Sequence, residues 1–349
     1  MENIIGYPEK SLAILMKNWG EKPYRATQIL TWVYHKRVSS FQNMTNLSKS
    51  LRERLHESFF FALPRVESRT LSHDGTIKYL FKMEDGSKIE SVWMPDEGRK
   101  TLCLSTQVGC RLACAFCLTG KMGLKRNLLS AEILGQIMAI DVDLGREKNI
   151  SNIVIMGMGE PLDNYEETVK ALRLIVSPHA LKLSNRKVTL STSGLVDKIE
   201  RFKNEGLQVN LAVSLNASDD KTRSQIMPIN KKYSIRELMK CLSDYPLKPT
   251  RRITFEYVLI NGINDSLEDA VKLGKLLSGF KCKINLIPFN SFEQTNLLPP
   301  NRQKVMAFQE YLMARKHTVF VRRNRATDIL GACGQLAVDQ DFTSHSTLA

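Results

Sequence analysis

Three cysteines stand at C-x3-C-x2-C spacing: Cys110, Cys114 and Cys117, with Phe116 directly before the last. Three thiolates so spaced can each hold one iron of a four-iron, four-sulfur cluster. Such a cluster normally takes four cysteines, so three leave one iron open. An open coordination position can bind a substrate, as it does in catalytic zinc sites. A structural zinc site usually wants four ligands in two pairs, and no matching Cys or His pair lies nearby; the nearest histidines are His73 and His179. Seven cysteines in 349 residues, odd in number and sparse, argue against a disulfide framework.

These thiols need a scaffold that brings other polar groups to them. From residue 100 onward, short β-rich runs alternate with helical patterns. The runs are 101–106, 153–157, 187–191, 209–214, 253–259 and 283–288. Ile133, Ile137, Ile140 and Leu144, after Ser130 as an expected N-cap, mark one of the helices. Such alternation argues for a parallel sheet with right-handed crossovers. The units are too few for a full eight-stranded barrel, so the expected fold is α/β, an open, partial (β/α)6 barrel.

Parallel barrels do their chemistry at the C-terminal ends of the strands, and the polar motifs fall there. The three cysteines follow the first strand, and Gly157-Met158-Gly159-Glu160-Pro161 follows the second. Ser191-Thr192-Ser193-Gly194 ends the third, Ser214-Leu215-Asn216 ends the fourth, and Asn290 follows the sixth. Each alone reads as a tight turn or a helix cap. Their recurrence at successive strand ends is hard to attribute to chance.

Ahead of the barrel, residues 8–60 read as helical. Ile29, Trp32 and Val33 form one apolar stripe; Leu47, Leu51, Leu55 and Phe59 form another at i, i+4 spacing. Lys22, Arg25, Lys36, Arg37, Lys49, Arg52 and Arg54 decorate the opposite faces. They are either a solvated surface or a basic RNA-docking platform. Residues 76–94 read as a hairpin: Ile77, Tyr79, Phe81 and Met83 alternate, Glu84-Asp85-Gly86-Ser87 turns, and Glu90 lies on the returning strand. Lys plus Arg outnumber Asp plus Glu by 50 to 36, a net charge of +14, which suggests a polyanionic partner. No apolar run approaches the roughly 20 residues of a membrane span, and the first residues lack a signal-peptide pattern. The expectation is a cytoplasmic protein with no membrane contact.

The cysteine spacing resembles the signature of the radical S-adenosylmethionine (SAM) superfamily. The resemblance narrows with Leu102-Cys103 through Gln107-Val108-Gly109-Cys110, the Gly-Met-Gly-Glu-Pro loop, Ser-Thr-Ser-Gly, Met227-Pro228-Ile229-Asn230-Lys231-Lys232-Tyr233, Ile284 through Pro288, and Ala332-Cys333-Gly334-Gln335-Leu336. Together they resemble the RlmN/Cfr family of RNA methyltransferases, from about residue 20 to residue 337. Cfr-like chains, which target carbon 8 of an rRNA adenosine, typically have Ala after Gly-Met-Gly-Glu and Ile in place of Ser193. Pro161 and Ser193 favour the RlmN branch, which methylates carbon 2 of adenine in 23S rRNA and tRNA; carbon 8 is the alternative.

The resemblance implies one 4Fe-4S cluster on Cys110, Cys114 and Cys117, and SAM held by Gly159, Glu160, Ser191, Ser214, Leu215, Asn216 and Asn290. Asn216 stands where the family commonly has His. It implies Cys333 as the methyl-carrying cysteine, Cys103 as the cysteine that releases product by forming a disulfide with it, and Glu90 as acceptor of the carbon-2 proton. The resemblance further implies two SAM per turnover, one as methyl donor and one as source of a 5′-deoxyadenosyl radical. The implied partners are 23S rRNA, tRNA and an electron donor such as flavodoxin or ferredoxin, and the chain is expected to be a monomer. The implied divisions are a helical docking domain (1–75), a hairpin linker (76–95), the radical SAM core (96–326) and a C-terminal segment with the methyl-accepting cysteine (327–349). A non-catalytic iron–sulfur or zinc RNA-binding protein is the rival from another class; SAM consumption separates the two.

Overall fold

The computed structural model describes residues 1–145 and 150–338; the end of the expected C-terminal segment, from 339 on, lies outside them. One ten-stranded sheet organises the molecule, and its strands follow one another in space in chain order. They are β1 (Arg65–Leu71), β2 (Ile77–Lys82), β3 (Lys88–Asp96), β4 (Arg99–Cys103), β5 (Asn152–Ile155), β6 (Val188–Thr192), β7 (Asn210–Ser214), β8 (Ile253–Leu259), β9 (Cys282–Pro288) and β10 (Val319–Val321). β1 to β4 pair antiparallel, and β4 to β10 pair parallel. Helices such as Ser130–Asp143, Tyr165–Val176 and Leu267–Leu276 make the crossovers. This is the open α/β barrel of the sequence reading, with β10 as a further short strand. The hairpin around Glu84 to Ser87 is a continuation of the barrel sheet, because β3 pairs with β4 over Val92 to Asp96.

Both periodicities have their cause in burial. Tyr79 and Phe81 point from alternate positions of β2 into the core. The parallel strands carry apolar residues at their centres, as sheets covered on both faces require: Ile153, Leu190, Leu211, Phe255 and Ile284 are fully buried or nearly so. Ahead of the sheet, helices Glu9–Asn18, Arg25–Tyr34 and Lys49–Ser58 pack through Leu12, Ile29, Val33, Leu51 and Leu55. Ser48 caps the third of these by accepting from Leu51 N at 3.2 Å.

Ser130 is not the N-cap that its position suggested. It is the first helical residue, and the Glu132 carboxylate accepts from Leu129 N at 2.8 Å instead. The Ser130 hydroxyl donates to the Gly6 carbonyl at 3.0 Å and so ties the N-terminal helices to the barrel. Arg37 adds an ion pair to Asp141 at 3.0 Å across the same seam.

Ahead of the cysteine loop, Gln107–Gly109 pairs with Leu124–Asn127. Gly109 has φ +77°, and a Cβ there would overlap the Gly123 carbonyl oxygen. Gly109→Ala should cost at least about 2 kcal/mol, from positive-φ strain plus a backbone clash. A urea midpoint shift in the metal-free protein measures it; an unchanged midpoint would contradict the close approach.

Candidate active site

The cysteine loop has little regular structure, and its peptide groups are met from three directions. Cys110 N donates to Gly123 O at 2.9 Å, Ala115 N to Ile226 O at 2.9 Å, and Leu118 N to Gly334 O at 2.7 Å. The last bond joins the loop to the residue after Cys333. Gly334 is required there: its φ is +86°, and a Cβ would lie 2.8 Å from the Phe116 carbonyl oxygen. Thr119 Oγ1 donating to Leu336 O at 2.5 Å, and Gln335 Nε2 donating to Ser291 O at 2.8 Å, complete the seating of the C-terminal segment.

Two cavities of about 410 and 150 Å³ adjoin, the smaller at the C-terminal rim of the parallel strands and the larger running from that rim along β3 and β4, and they share Cys117, Asn290, Arg322 and Cys333 in their walls. The smaller is lined by Cys110, Cys114 and Cys117 and by Gly159, Glu160, Ser191, Ser214 and Asn216. The strand-end motifs therefore converge. Burial pushes the Cys110 thiol up to about 12 and raises the Cys114 thiol well above its ordinary value; Cys117 raises both again. Burial raises Cys117 as well, and Cys333 adds to it. Among the described residues, no three His, Cys, Asp or Glu side chains are grouped to hold a single metal ion. Three soft thiols spread along a loop around one cavity suit a multi-iron cluster, whose positive irons deprotonate the thiols outright.

The remaining groups of the smaller cavity divide by what they touch. Glu160 is buried, and its carboxylate accepts from Ser193 N at 2.8 Å and Leu162 N at 3.2 Å. Burial raises its pKa while these donors oppose. Gly159 has φ +97°, and a Cβ there would strike Gln107 at 2.5 Å. Asn216 adopts φ +57°, which asparagine tolerates. Its side chain accepts from Val258 N at 2.8 Å and donates to Met227 Sδ at 3.2 Å, so it braces the wall. Leu215 is fully buried and does not line the cavity; its carbonyl accepts from Arg223 Nε at 3.0 Å. Asn290 donates to Cys333 O at 3.2 Å. Asn290 Oδ1 and Glu256 Oε2 are buried acceptors with no hydrogen-bond donor among the described residues. Such atoms are costly unless a ligand meets them, and the cavity is where a ligand would.

The larger cavity holds Cys103 and Cys333 with Arg322. Both thiols are free, Cys103 buried and Cys333 exposed. Burial pushes Cys103 up to about 12, with Cys333 acting the same way and the Arg322 guanidinium opposing. Arg322 also pairs with Glu256 at 3.7 Å, beyond hydrogen-bond range. Glu90 lines neither cavity. It is 4% exposed, bonded to Lys78 Nζ at 2.9 Å and to Ala337 N at 3.0 Å.

Arg322, Glu256 and Lys78 escaped the sequence reading. Glu256 had a signal, as the lone charge within the apolar run Ile253–Leu259. Arg322 sits in a basic stretch whose sequence says only that it is basic.

Residues 2–60 match the family model for the ribosomal RNA large subunit methyltransferase N-terminal domain, and residues 104–274 match that for the radical SAM superfamily. The chain is 48% identical to a dual-specificity RNA methyltransferase RlmN of Pelobacter propionicus, over 97% of this chain and 96% of that one. It is 45% identical to the enzyme of the same description from Geobacter sulfurreducens, over 96% and 92%. A crystal structure of a radical SAM methyltransferase from Sphaerobacter thermophilus superposes with TM-score 0.88 at 39% identity, over 96% of this chain and 99% of that one. Membership of the superfamily implies SAM and a 4Fe-4S cluster, in agreement with the thiol-lined cavity. With its motifs converged at the strand ends and this likeness over nearly its whole length, the chain belongs to the RlmN family and is a radical SAM RNA methyltransferase.

Proposed function

We propose that this enzyme methylates carbon 2 of adenine in 23S rRNA and tRNA, through a methyl group carried on Cys333. The observation that carries the reading is the convergence of Cys333, Cys103 and the Cys110–Cys114–Cys117 loop on two adjoining cavities. Carbon 2 lies between two ring nitrogens and is electron-poor, so polar transfer from an electrophilic methyl donor has no nucleophile to use. A four-iron cluster bound at the three cysteines, with SAM, would supply one-electron, hydrogen-abstracting chemistry in a cycle that uses two SAM. Gly159, Glu160, Ser191, Ser214, Asn216 and Asn290 are assigned to SAM, with Leu215 contributing only as buried support.

The protein's own steps belong to three groups. The Cys333 thiol accepts the methyl, and the exposed loop that bears it presents that carbon to the base. The buried Cys103 waits until the carbon is bonded both to Cys333 sulfur and to RNA. Its thiolate then attacks that sulfur: the S–S bond forms, and the S–C bond breaks. The electron pair stays with the carbon, which takes a proton and leaves as methyl. Arg322 lines the cavity with both cysteines, and its charge favours the thiolate of Cys103. An electron donor such as flavodoxin or ferredoxin serves the cluster, and a reductant returns two electrons and two protons to the disulfide. Glu90 receives the carbon-2 proton, and the Lys78 ammonium holds its carboxylate ready. This geometry requires Ala337 to release its bond to Glu90.

The target base has to leave its stack, at a cost of a few kcal/mol. Phosphate contacts to a chain of net charge +14 would offset this. We assign residues 1–75 to RNA docking, 76–95 to the hairpin bearing Glu90, 96–326 to the core, and 327–349 to the segment bearing Cys333. For the RlmN branch over a carbon-8 enzyme, the support is Pro161 and Ser193; nucleoside mass spectrometry of RNA from cells lacking the protein decides.

Cys333→Ala should form no RNA linkage, whereas Cys103→Ala should accumulate a ribonuclease-sensitive protein–RNA adduct on denaturing gels. Normal turnover by Cys103→Ala would end the two-cysteine assignment. RNA binding should weaken steeply with salt, with log K falling linearly in log salt concentration; salt-insensitive binding would remove the electrostatic docking role. Lys78→Met carries a pH signature. Burial holds the Glu90 carboxyl above its ordinary 4.5, with Lys78 and the Ala337 amide opposing. Below 4.5 this carboxyl is neutral folded and unfolded, and a raised folded value lowers stability as pH rises through it. Loss of Lys78 raises the value further. The variant should lose little stability near pH 4 and about 3 kcal/mol near pH 8, by urea titration; a pH-independent loss would disprove the charge coupling.

A further inference from the structure

Arg223 lies on the helix Asp220–Ile226, directly ahead of the Met227-Pro228-Ile229-Asn230 motif, and is fully buried. Its guanidinium meets neutral acceptors. Nε donates to Leu215 O at 3.0 Å, Nη1 to Asn230 Oδ1 at 3.0 Å, and Nη2 to Ser193 O at 2.7 Å and Ser214 O at 3.2 Å. Among the described residues no carboxylate is within ion-pair distance of it. Asp220, on the same helix, is bonded to Asn230 Nδ2 at 2.9 Å and Ile235 N at 2.8 Å. A buried cation without a paired anion is strongly disfavoured. Burial pulls this guanidinium down to about 10, with Cys114 the first group to oppose and Asp220 the second.

The compensating charge is missing among the described residues but implied across the cavity wall. Ser193 and Ser214, whose carbonyls Arg223 holds, line the smaller cavity together with Cys110, Cys114 and Cys117. The same helix ends at Ile226, whose carbonyl accepts from Ala115 N beside Cys114 at 2.9 Å. A four-iron cluster on three thiolates is anionic and becomes more so on reduction. A fixed positive charge behind it favours the reduced form, since net charge is among the factors that set cluster potentials.

We propose that Arg223 is the counter-charge of the iron–sulfur cluster, a positioning residue that braces the ends of β6 and β7 and raises the cluster's reduction potential. Asn230 gives the Met-Pro-Ile-Asn motif its part by fixing the guanidinium's orientation. The proposal rests on the reading that Cys110, Cys114 and Cys117 hold that cluster.

The test compares wild-type protein with Arg223→Gln and Arg223→Lys, reconstituted anaerobically without SAM or RNA. Iron and sulfide are assayed first; a wild-type protein that takes up neither overturns the cluster reading, and the Arg223 proposal with it. Redox titration followed by electron paramagnetic resonance then gives the midpoint potential, and circular dichroism checks the fold. The Gln variant should titrate at a lower potential than wild type, and the Lys variant should recover most of the difference. Equal potentials in wild type and the Gln variant would overturn the proposal with the cluster reading intact. If the Gln variant takes up no cluster, the Lys variant decides: uptake with a near-wild-type potential supports the proposal. Loss of uptake by a folded Lys variant, or failure of both variants to fold before cluster is added, assigns Arg223 to the scaffold and overturns it.

Discussion

An irregular, partly buried loop has to find partners for its peptide groups, and that requirement assembles this active site. The segment from Cys110 to Cys117 is largely irregular, so it cannot pair its own amides and carbonyls as a helix or strand would. The partners come from the Gly123 turn, the end of the Asp220–Ile226 helix, and Gly334. Each of these hydrogen bonds also delivers chemistry. The helix brings Arg223 behind the cavity, and Gly334 brings Cys333 to its edge. The positive φ at Gly109 and Gly334 lets the backbones approach closely enough to make the contacts.

Charge is the second constraint. Glu90, Glu160, Glu256 and Arg223 are buried to a degree that isolated ions do not tolerate. Glu90 has Lys78, and Glu160 has backbone amides. Glu256 has Arg322 at a distance that leaves one oxygen unbonded, and Arg223 has carbonyls alone. The two less compensated groups, Glu256 and Arg223, lie in or behind the wall of the smaller cavity. An apolar interior would be more stable without them, so their presence there fits a site shaped around charged ligands.

The N-terminal helices are joined to the core by polar contacts at their seam: Ser130 to Gly6, Arg37 to Asp141, and Ser177 to Glu9. This divides the basic residues into two sets. Arg37 is committed to the seam, Arg52 to Gln42 O and Arg54 to Trp19 O. Lys22, Lys36 and Lys49 remain exposed and able to meet phosphate. No helix of the described residues is long and apolar enough to cross a membrane.

The sequence determined whatever depends on near neighbours. Period-two alternation marked the hairpin, apolar runs marked β4 to β9 to within a few residues, and spacing marked the three cysteines as one group. Strand-end position then placed Glu160, Ser191, Ser214 and Asn216 on one rim, because parallel strands all point the same way. The three-residue β10 was too short to read, and Ser130 satisfied a cap preference that Glu132 fulfils in the folded chain. Only the tertiary structure decided that Cys333 and Cys103 line one cavity, that Leu215 stands behind the wall, that Lys78 answers Glu90, and that Arg223 has no paired carboxylate among the described residues. The reason is physical. Periodicity reflects local geometry, repeated every few residues. Burial and charge compensation depend on groups brought together from distant parts of the chain, and the packing that joins them is set by the whole fold.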